Sequence, residues 1–253
     1  MPLDDPRVSV IMSVYNGERF LPNSVVSILS QSFKDFEFII VDDCSNDGTA
    51  EMLRSIDDPR IKLIINELNL GLTRSLNKAA QTARGTYLAR MDADDISLSH
   101  RFETQVAYLD NNPECAVVGS CYFIIDEHDQ IIHRIGVLTD DASIKEGLPQ
   151  QNWFGHGSVM MRREAFQAVG GYDNSFKYSQ DYDLWLRMSE RFTLANLEEC
   201  LYCWRDNSAG ISRKKQEEQR QYAARAVEGA IQRSAARILP IVSAITPACS
   251  PEA

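Results

Sequence analysis

Short β-branched runs alternate along this chain with segments of helical period, and that alternation restricts the possible fold more than any other feature of the sequence. VSVIMSV (8–14), FEFIIV (36–41), IKLIIN (61–66) and TYLARM (86–91) read as strands. Between them, ERFLPNSVVSILSQSF, TAEMLRSI and TRSLNKAAQTA read as helices; the first places Leu21, Val25, Ile28 and Leu29 on one face, with Pro22 tolerated in a first turn. Strand and helix in turn predict a mainly parallel sheet covered by helices. The pattern continues with a helix over 101–110, strands over CAVVGSCYFII and QIIHRIGVL, and helices over RREAFQAV and DYDLWLRMSE. From about Ser212 the chain turns charged and Ala-rich, which predicts a terminal helix stopped by Pro240 and a poorly ordered tail.

Composition removes several classes of function. The 253 residues, 44% hydrophobic and 25% charged, suffice for one large core and an appendage. A net charge of −10 leaves no general basic face for a nucleic-acid backbone. Cys44, Cys115, Cys121, Cys200, Cys203 and Cys249 are scattered, and the Cys200/Cys203 pair lacks the second pair or histidines of a zinc site, so reduced, structural thiols are expected. The start, MPLDDPRVSVIM, has no basic segment before an apolar run, and no stretch of about 18 apolar residues occurs, so a cytoplasmic location is expected. From Ile211 onward seven Lys or Arg oppose four Asp or Glu. Tyr222, Ala226, Ala230 and Ile231 are expected to share one face of that terminal helix, packed on the body or on a partner subunit. Attachment to an anionic membrane surface is the alternative.

Two acidic clusters follow predicted strands: Asp42, Asp43 and Asp47 after the second, and Asp92, Asp94 and Asp95 after the fourth. In open parallel sheets, ligands bind beyond the carboxyl ends of the strands. Like charges gathered there repel unless a cation or hydrogen-bond donors lie between them. Turn and cap chemistry accounts for Asp47 and is one reading of Asp95. A calcium loop starting at Asp43 fails, because its last ligand position holds Arg54. Asp92-x-Asp94 after an apolar strand supplies the partial oxygen shell that magnesium or manganese shares with substrate phosphates.

VSVIMSVYNGERFLPNSVVSILSQSFKDFEFIIVDDCSNDGT, NLGLTRSLNKA, ARMDADD, HGSVMMRREAFQAVGGYD and SQDYDLWLR, in this order, resemble the family 2 glycosyltransferases of the GT-A fold, over about Val8 to Ser212. The resemblance implies an α/β fold of GT-A type, a doubly wound, mainly parallel sheet with helices on both faces. Residues 1–212 would form the catalytic domain and 213–253 a C-terminal helix and flexible tail. It also implies an inverting transferase that uses a nucleotide-diphosphate sugar and Mn2+ or Mg2+.

Carried onto matching positions, the resemblance implies that Ser13, Tyr15 and Asn16 line the nucleotide, with Ser13 standing where many members have Pro. It implies that Asp43 accepts a hydrogen bond from uracil, that Asp42 supports the loop, that Asn69 lies near the base and that Arg74 offsets donor charge. Asp92 would lie near ribose and metal, Asp94 would ligate the metal, Asp181 would be the catalytic base, and His156 would lie at the floor of the acceptor side. Asn207 stands where the family often has a histidine. The implied donor is a nucleotide sugar, UDP favoured, and the acceptor a glycan or lipid-linked oligosaccharide of cell-surface polysaccharide synthesis. Absence of Gln-x-x-Arg-Trp and of membrane spans favours addition of a single sugar. A sugar-phosphate nucleotidyltransferase would need a Gly-rich basic loop after the first strand, which here reads YNG; a non-catalytic relative would be expected to have lost one of the acids.

Overall fold

The computed structural model describes residues 5–207 and 215–245, with side chains to 236. Its first half is the predicted alternation: β1 (Val8–Val14), α1 (Leu21–Leu29), β2 (Phe36–Asp42), α2 (Thr49–Ser55), β3 (Ile61–Ile65), α3 (Leu72–Thr82) and β4 (Tyr87–Arg90). Then come β5 (Ile96–Ser97), α4 (Arg101–Asn111), β6 (Cys115–Ile125), β7 (Ile131–Ile135), α5 (Asp141–Gly147), a 3₁₀ turn at His156–Ser158, β8 (Met160–Arg162) and α6 (Arg163–Ala168). The described chain ends with α7 (Gln180–Ser189), β9 (Thr193–Arg205) and α8 (Gln216–Ile245).

All described strands join one sheet in the order β3-β2-β1-β4-β8-β6-β9-β5, with β7 on β6. The β3-β2-β1-β4 half is parallel, whereas β8 runs antiparallel to both β4 and β6. The architecture is thus an α/β sandwich around a mixed, mainly parallel sheet. Strand side chains alternate between two cores, as a period of two requires. Val8, Val10, Met12, Phe36, Phe38 and Ile40 face α1, α2 and α4, while Ile11, Ile39 and Val41 face α3, α6 and α7.

Glu37, near the start of β2, is buried because it has donors. Ser9 Oγ donates to its Oε1 at 2.7 Å and the Arg84 backbone N–H at 2.8 Å, and Gly85 N donates in turn to Ser9 Oγ at 2.8 Å. The turn into β4 is thereby fixed to the middle of the sheet. A Cβ on Gly85 would stand 2.6 Å from the Ser9 backbone nitrogen.

Three expectations are corrected. Cys121 and Cys200 are disulfide-bonded, with Cα atoms 4.3 Å apart; the strands carrying them pair across 79 residues of sequence, a proximity that spacing alone does not reveal. Cys44, Cys115 and Cys203 are free thiols, and Cys249 lies outside the described residues. The terminal helix does not stop at Pro240 but continues to Ile245. Proline removes one hydrogen bond and bends a helix locally without ending it, and the apolar residues around Pro240 continue the helical period. Ile231, finally, does not share the apolar face: Tyr222, Ala223, Ala226, Val227 and Ala230 pack on the body while Ile231 is 62% exposed. At 100° per residue Ile231 lies on the far side of the helix from Tyr222. The proposed 212/213 domain boundary and the tail after 245 fall outside the described residues. Among the described residues, no helix is long and apolar enough to cross a membrane.

Because two of the three nearest atoms, Ser9 N and Val8 C, are backbone and cannot move aside, Gly85→Ala should destabilise the protein by about 1–3 kcal/mol. The expected readout is a melting temperature several degrees lower; an unchanged value would show that the turn relaxes freely.

Candidate functional site

The strand order reverses at β1, which has β2 on one side and β4 on the other. Connections diverge there, so a crevice opens beyond the carboxyl ends of these strands. The β1–α1 and β2–α2 turns are bonded to one another along its rim. Asn16, with φ of 54°, donates its backbone N–H to Ser45 Oγ at 2.9 Å and accepts from Asn46 N at 2.9 Å. Gly17 N donates to Thr49 Oγ1 at 2.9 Å, and Asp47 accepts from Glu18 N and Thr49 N at 3.2 and 3.0 Å. Asp47 is therefore a turn residue, as its sequence context implies. Tyr15 projects from this rim, 52% exposed, whereas Ser13 is buried inside β1.

Of the paired acids at the end of β2, Asp43 has both oxygens engaged. Oδ1 accepts from Asn66 Nδ2, Leu70 N and Ser75 Oγ at 2.7–2.9 Å, and Oδ2 accepts from Gly71 N at 2.8 Å. It ties the β3–α3 loop to the sheet, and Asn69 Nδ2 adds a bond to its backbone carbonyl at 3.2 Å. Asp42 accepts from Ser45 N at 3.1 Å through Oδ1, and its buried Oδ2 has no partner. Arg74 is exposed on α3.

The second acidic turn, after β4, is fixed by buried arginines. Arg90 is fully buried; it donates to the Met91 carbonyl and, at 2.5 Å, to Asp92 Oδ1. Arg205, at the end of β9, donates its backbone N–H to Asp95 Oδ1 at 2.7 Å and its Nε to the Asp94 carbonyl at 2.6 Å. Asp95 is therefore not a helix cap: α4 begins only at Arg101, and the Asp95 carboxylate instead joins the acidic turn to β9. Burial, then the neighbouring Asp94 and Asp92 charges, push the Asp95 carboxyl well above the usual range. Burial and Asp92 likewise raise Asp94. Asn207, just past β9, brings its amide to Asp94 Oδ2 at 3.4 Å.

Asp181 reaches the same crevice from the first turn of α7, which follows Ser179 in the left-handed region at φ of 53°. Its Oδ2 accepts from Asn152 Nδ2 at 2.9 Å. Burial raises the Asp181 carboxyl, and the Asp92 charge adds to the shift. His156 is buried against aromatic neighbours: Nε2 is 2.8 Å from Tyr172 Oη, and the ring meets Trp185 edge-on at 6.3 Å. Burial and Arg90 hold its imidazole well below the usual pKa, so it is neutral near pH 7. In α7, Leu184 and Trp185 are fully buried core residues, and Asp183 pairs with Arg187 at 2.7 Å.

Residues 9–170 match the family model for glycosyl transferase family 2. EpsE of Bacillus subtilis is 41% identical over 216 residues, 83% of this chain and 76% of EpsE. The chain belongs to glycosyl transferase family 2. The O-antigen biosynthesis glycosyltransferase WbnJ of Escherichia coli is 33% identical, with 78% of this chain and 79% of WbnJ covered. TarS 1-349 of S. aureus, crystallised with UDP-GlcNAc, superposes with a TM-score of 0.74 at 17% identity, covering 89% of this chain and 66% of the TarS chain. That structure shows the shared GT-A-like fold.

For a glycosyltransferase the donor set around Asp94 matters. Among the described residues no three His, Cys, Asp or Glu gather to hold a metal. Asp94, Asp92 and the Asn207 amide offer instead an incomplete oxygen shell, and the Asp94 carboxyl is raised first by burial and then by the Asp92 charge, which a cation would offset. Such a set fits Mg2+ or Mn2+ shared with a diphosphate, and does not fit a closed structural site.

Sequence reasoning missed the residues that hold these acids. Arg90 was visible as a lone cation in an apolar strand directly before the acidic turn; Arg205 and Asn152 carried no local signal and arrive through tertiary contacts. Arg90→Met keeps most of the volume and leaves Asp92 without its partner. It should cost about 1–3 kcal/mol, measured as a lower urea midpoint; an unchanged midpoint would show that Arg90 does not anchor the turn.

Proposed function

We propose that this glycosyltransferase moves one sugar from a UDP-sugar to a hydroxyl of a glycan acceptor, with inversion, in the synthesis of a cell-surface polysaccharide. The observation that carries the reading is the convergence of Asp181, from α7, on the crevice edged by the Asp92–Asp94 turn. The named roles of relatives such as WbnJ, and the UDP-GlcNAc in the TarS structure, support the pathway and the nucleotide.

An acceptor hydroxyl is a weak nucleophile, so its proton must leave as the bond to the anomeric carbon forms. Asp181 takes it. The raised pKa makes this carboxylate a stronger base than an exposed aspartate, and Asn152 holds Oδ2 in place. Tyr15, exposed on the rim, would cover the nucleobase, while Asp43 holds the β3–α3 loop. Asp94, with Asp92 and Asn207, would hold a divalent cation, which when bound neutralises charge on the departing diphosphate. Neutral His156 and Tyr172 form an uncharged floor under the reacting sugar.

Asp181→Asn should lower kcat by about 10²- to 10⁴-fold while leaving the dissociation constant for UDP unchanged. In the wild type, activity should rise with pH through the raised Asp181 pKa, because only the deprotonated carboxylate accepts the proton. An acid limb confined to the ordinary aspartate range would place the base elsewhere. Asp94→Ala should abolish transfer and the manganese dependence of UDP binding in a calorimetric titration; retained manganese dependence would remove Asp94 from the metal shell.

A further inference from the structure

Asp181 also lines an open cleft of about 610 Å³ whose far wall belongs to α8. Five carboxamides line it: Gln150, Gln151 and Asn152 from the loop after α5, and Gln216 and Gln219 from α8. The helix is locked to the catalytic turn itself. Ser179 Oγ, directly before α7, donates to the Gln219 carbonyl at 3.0 Å. One turn on, the Tyr222 ring packs against Phe176 and Tyr178 at centroid distances of 5.9 and 5.8 Å, and Arg225 donates to Ser175 Oγ at 2.8 Å.

We infer that the first turns of α8 form the acceptor subsite, and that this subsite takes a neutral, hydroxyl-rich saccharide. The inference rests on the reading of Asp181 as the base. A carboxamide presents two donors and one acceptor, and a sugar hydroxyl both donates and accepts, so a wall of amides matches a polyol in any local orientation. Among the described residues anions are poorly served: the one cation in the lining, Arg220, is 77% exposed and sits 3.7 Å from Glu217. Asp181, the one charged group of the inner wall, would repel a phosphate. The C-terminal helix is thus part of the substrate site, and its first two turns select what is glycosylated while the sheet edge selects the donor.

The test uses the full chain with radiolabelled UDP-sugars and two probe sets, neutral methyl glycosides and the corresponding glycosyl phosphates. Gln216→Ala and Gln219→Ala should each raise the KM for a methyl glycoside about 3- to 10-fold, as expected for one or two lost hydrogen bonds, with the dissociation constant for UDP unchanged. Saturation-transfer NMR supplies a readout that needs no turnover: the signal of a bound methyl glycoside should vanish in the double glutamine variant and persist in Asp181→Asn. Unchanged KM values, preference for glycosyl phosphates, or glycoside binding indifferent to both glutamines would each overturn the subsite. If Asp181→Asn transfers at the wild-type rate while the glutamine effects hold, the base assignment fails and the amide wall stands.

Discussion

Three buried arginines hold the acidic turn after β4 on which the rest of the site depends. Arg90, Arg101 and Arg205 are each at most 2% exposed, and burying a guanidinium is tolerated only where partners replace water. Arg101 donates to the Arg90 and Val159 carbonyls at 2.8 and 2.9 Å, joining β4 to the loop that carries His156, and burial pushes its pKa down to about 10. Arg90 orients Asp92, and Arg205 ties Asp94 and Asp95 to β9 while its other nitrogens bond the Asp126 carbonyl and Asp129. Arginine suits this work because its planar fork reaches several carbonyls and carboxylates at once.

With the turn so fixed, burial raises the Asp94 and Asp95 carboxyls and the neighbouring Asp92 charge adds to both shifts, so a cation bound there would be favoured. Asp94 has little internal compensation, whereas Asp43 is saturated by four donors and works as a fastener. The distinction between a carboxylate that holds the protein and one that faces a substrate lies in this accounting of donors, and it separates otherwise similar acids at the two strand ends.

The alternation of apolar runs made β1 to β4 and their helices legible, because period-two and period-3.6 burial are local consequences of backbone geometry. The acid clusters were legible for the same reason, since their position just past strands follows from the strands. Asp47 was readable as a turn residue from its neighbours alone. Less legible were β8, β9 and the two-residue β5, whose sheet positions depend on partners remote in sequence. The Cys121–Cys200 bond belongs to that class, as it exists only because β6 and β9 pair in register.

By itself, the sequence determined an α/β chain with acids at the carboxyl ends of its strands, a glycosyltransferase pattern of motifs, and the short list of side chains able to do chemistry. Tertiary structure decided which of those side chains meet. Asp181 and Asp92 lie 89 positions apart in the chain and share a crevice because α7 packs against the face of the sheet on which Arg90 emerges. Asp42 and Asp43 are adjacent and chemically identical, yet the alternation of a strand sends them to opposite faces, one to a full set of donors and the other to an unpartnered oxygen. Residue type and local period are encoded one position at a time, whereas burial, pKa and hydrogen-bond saturation are properties of the assembled neighbourhood, and only the folded chain supplies that.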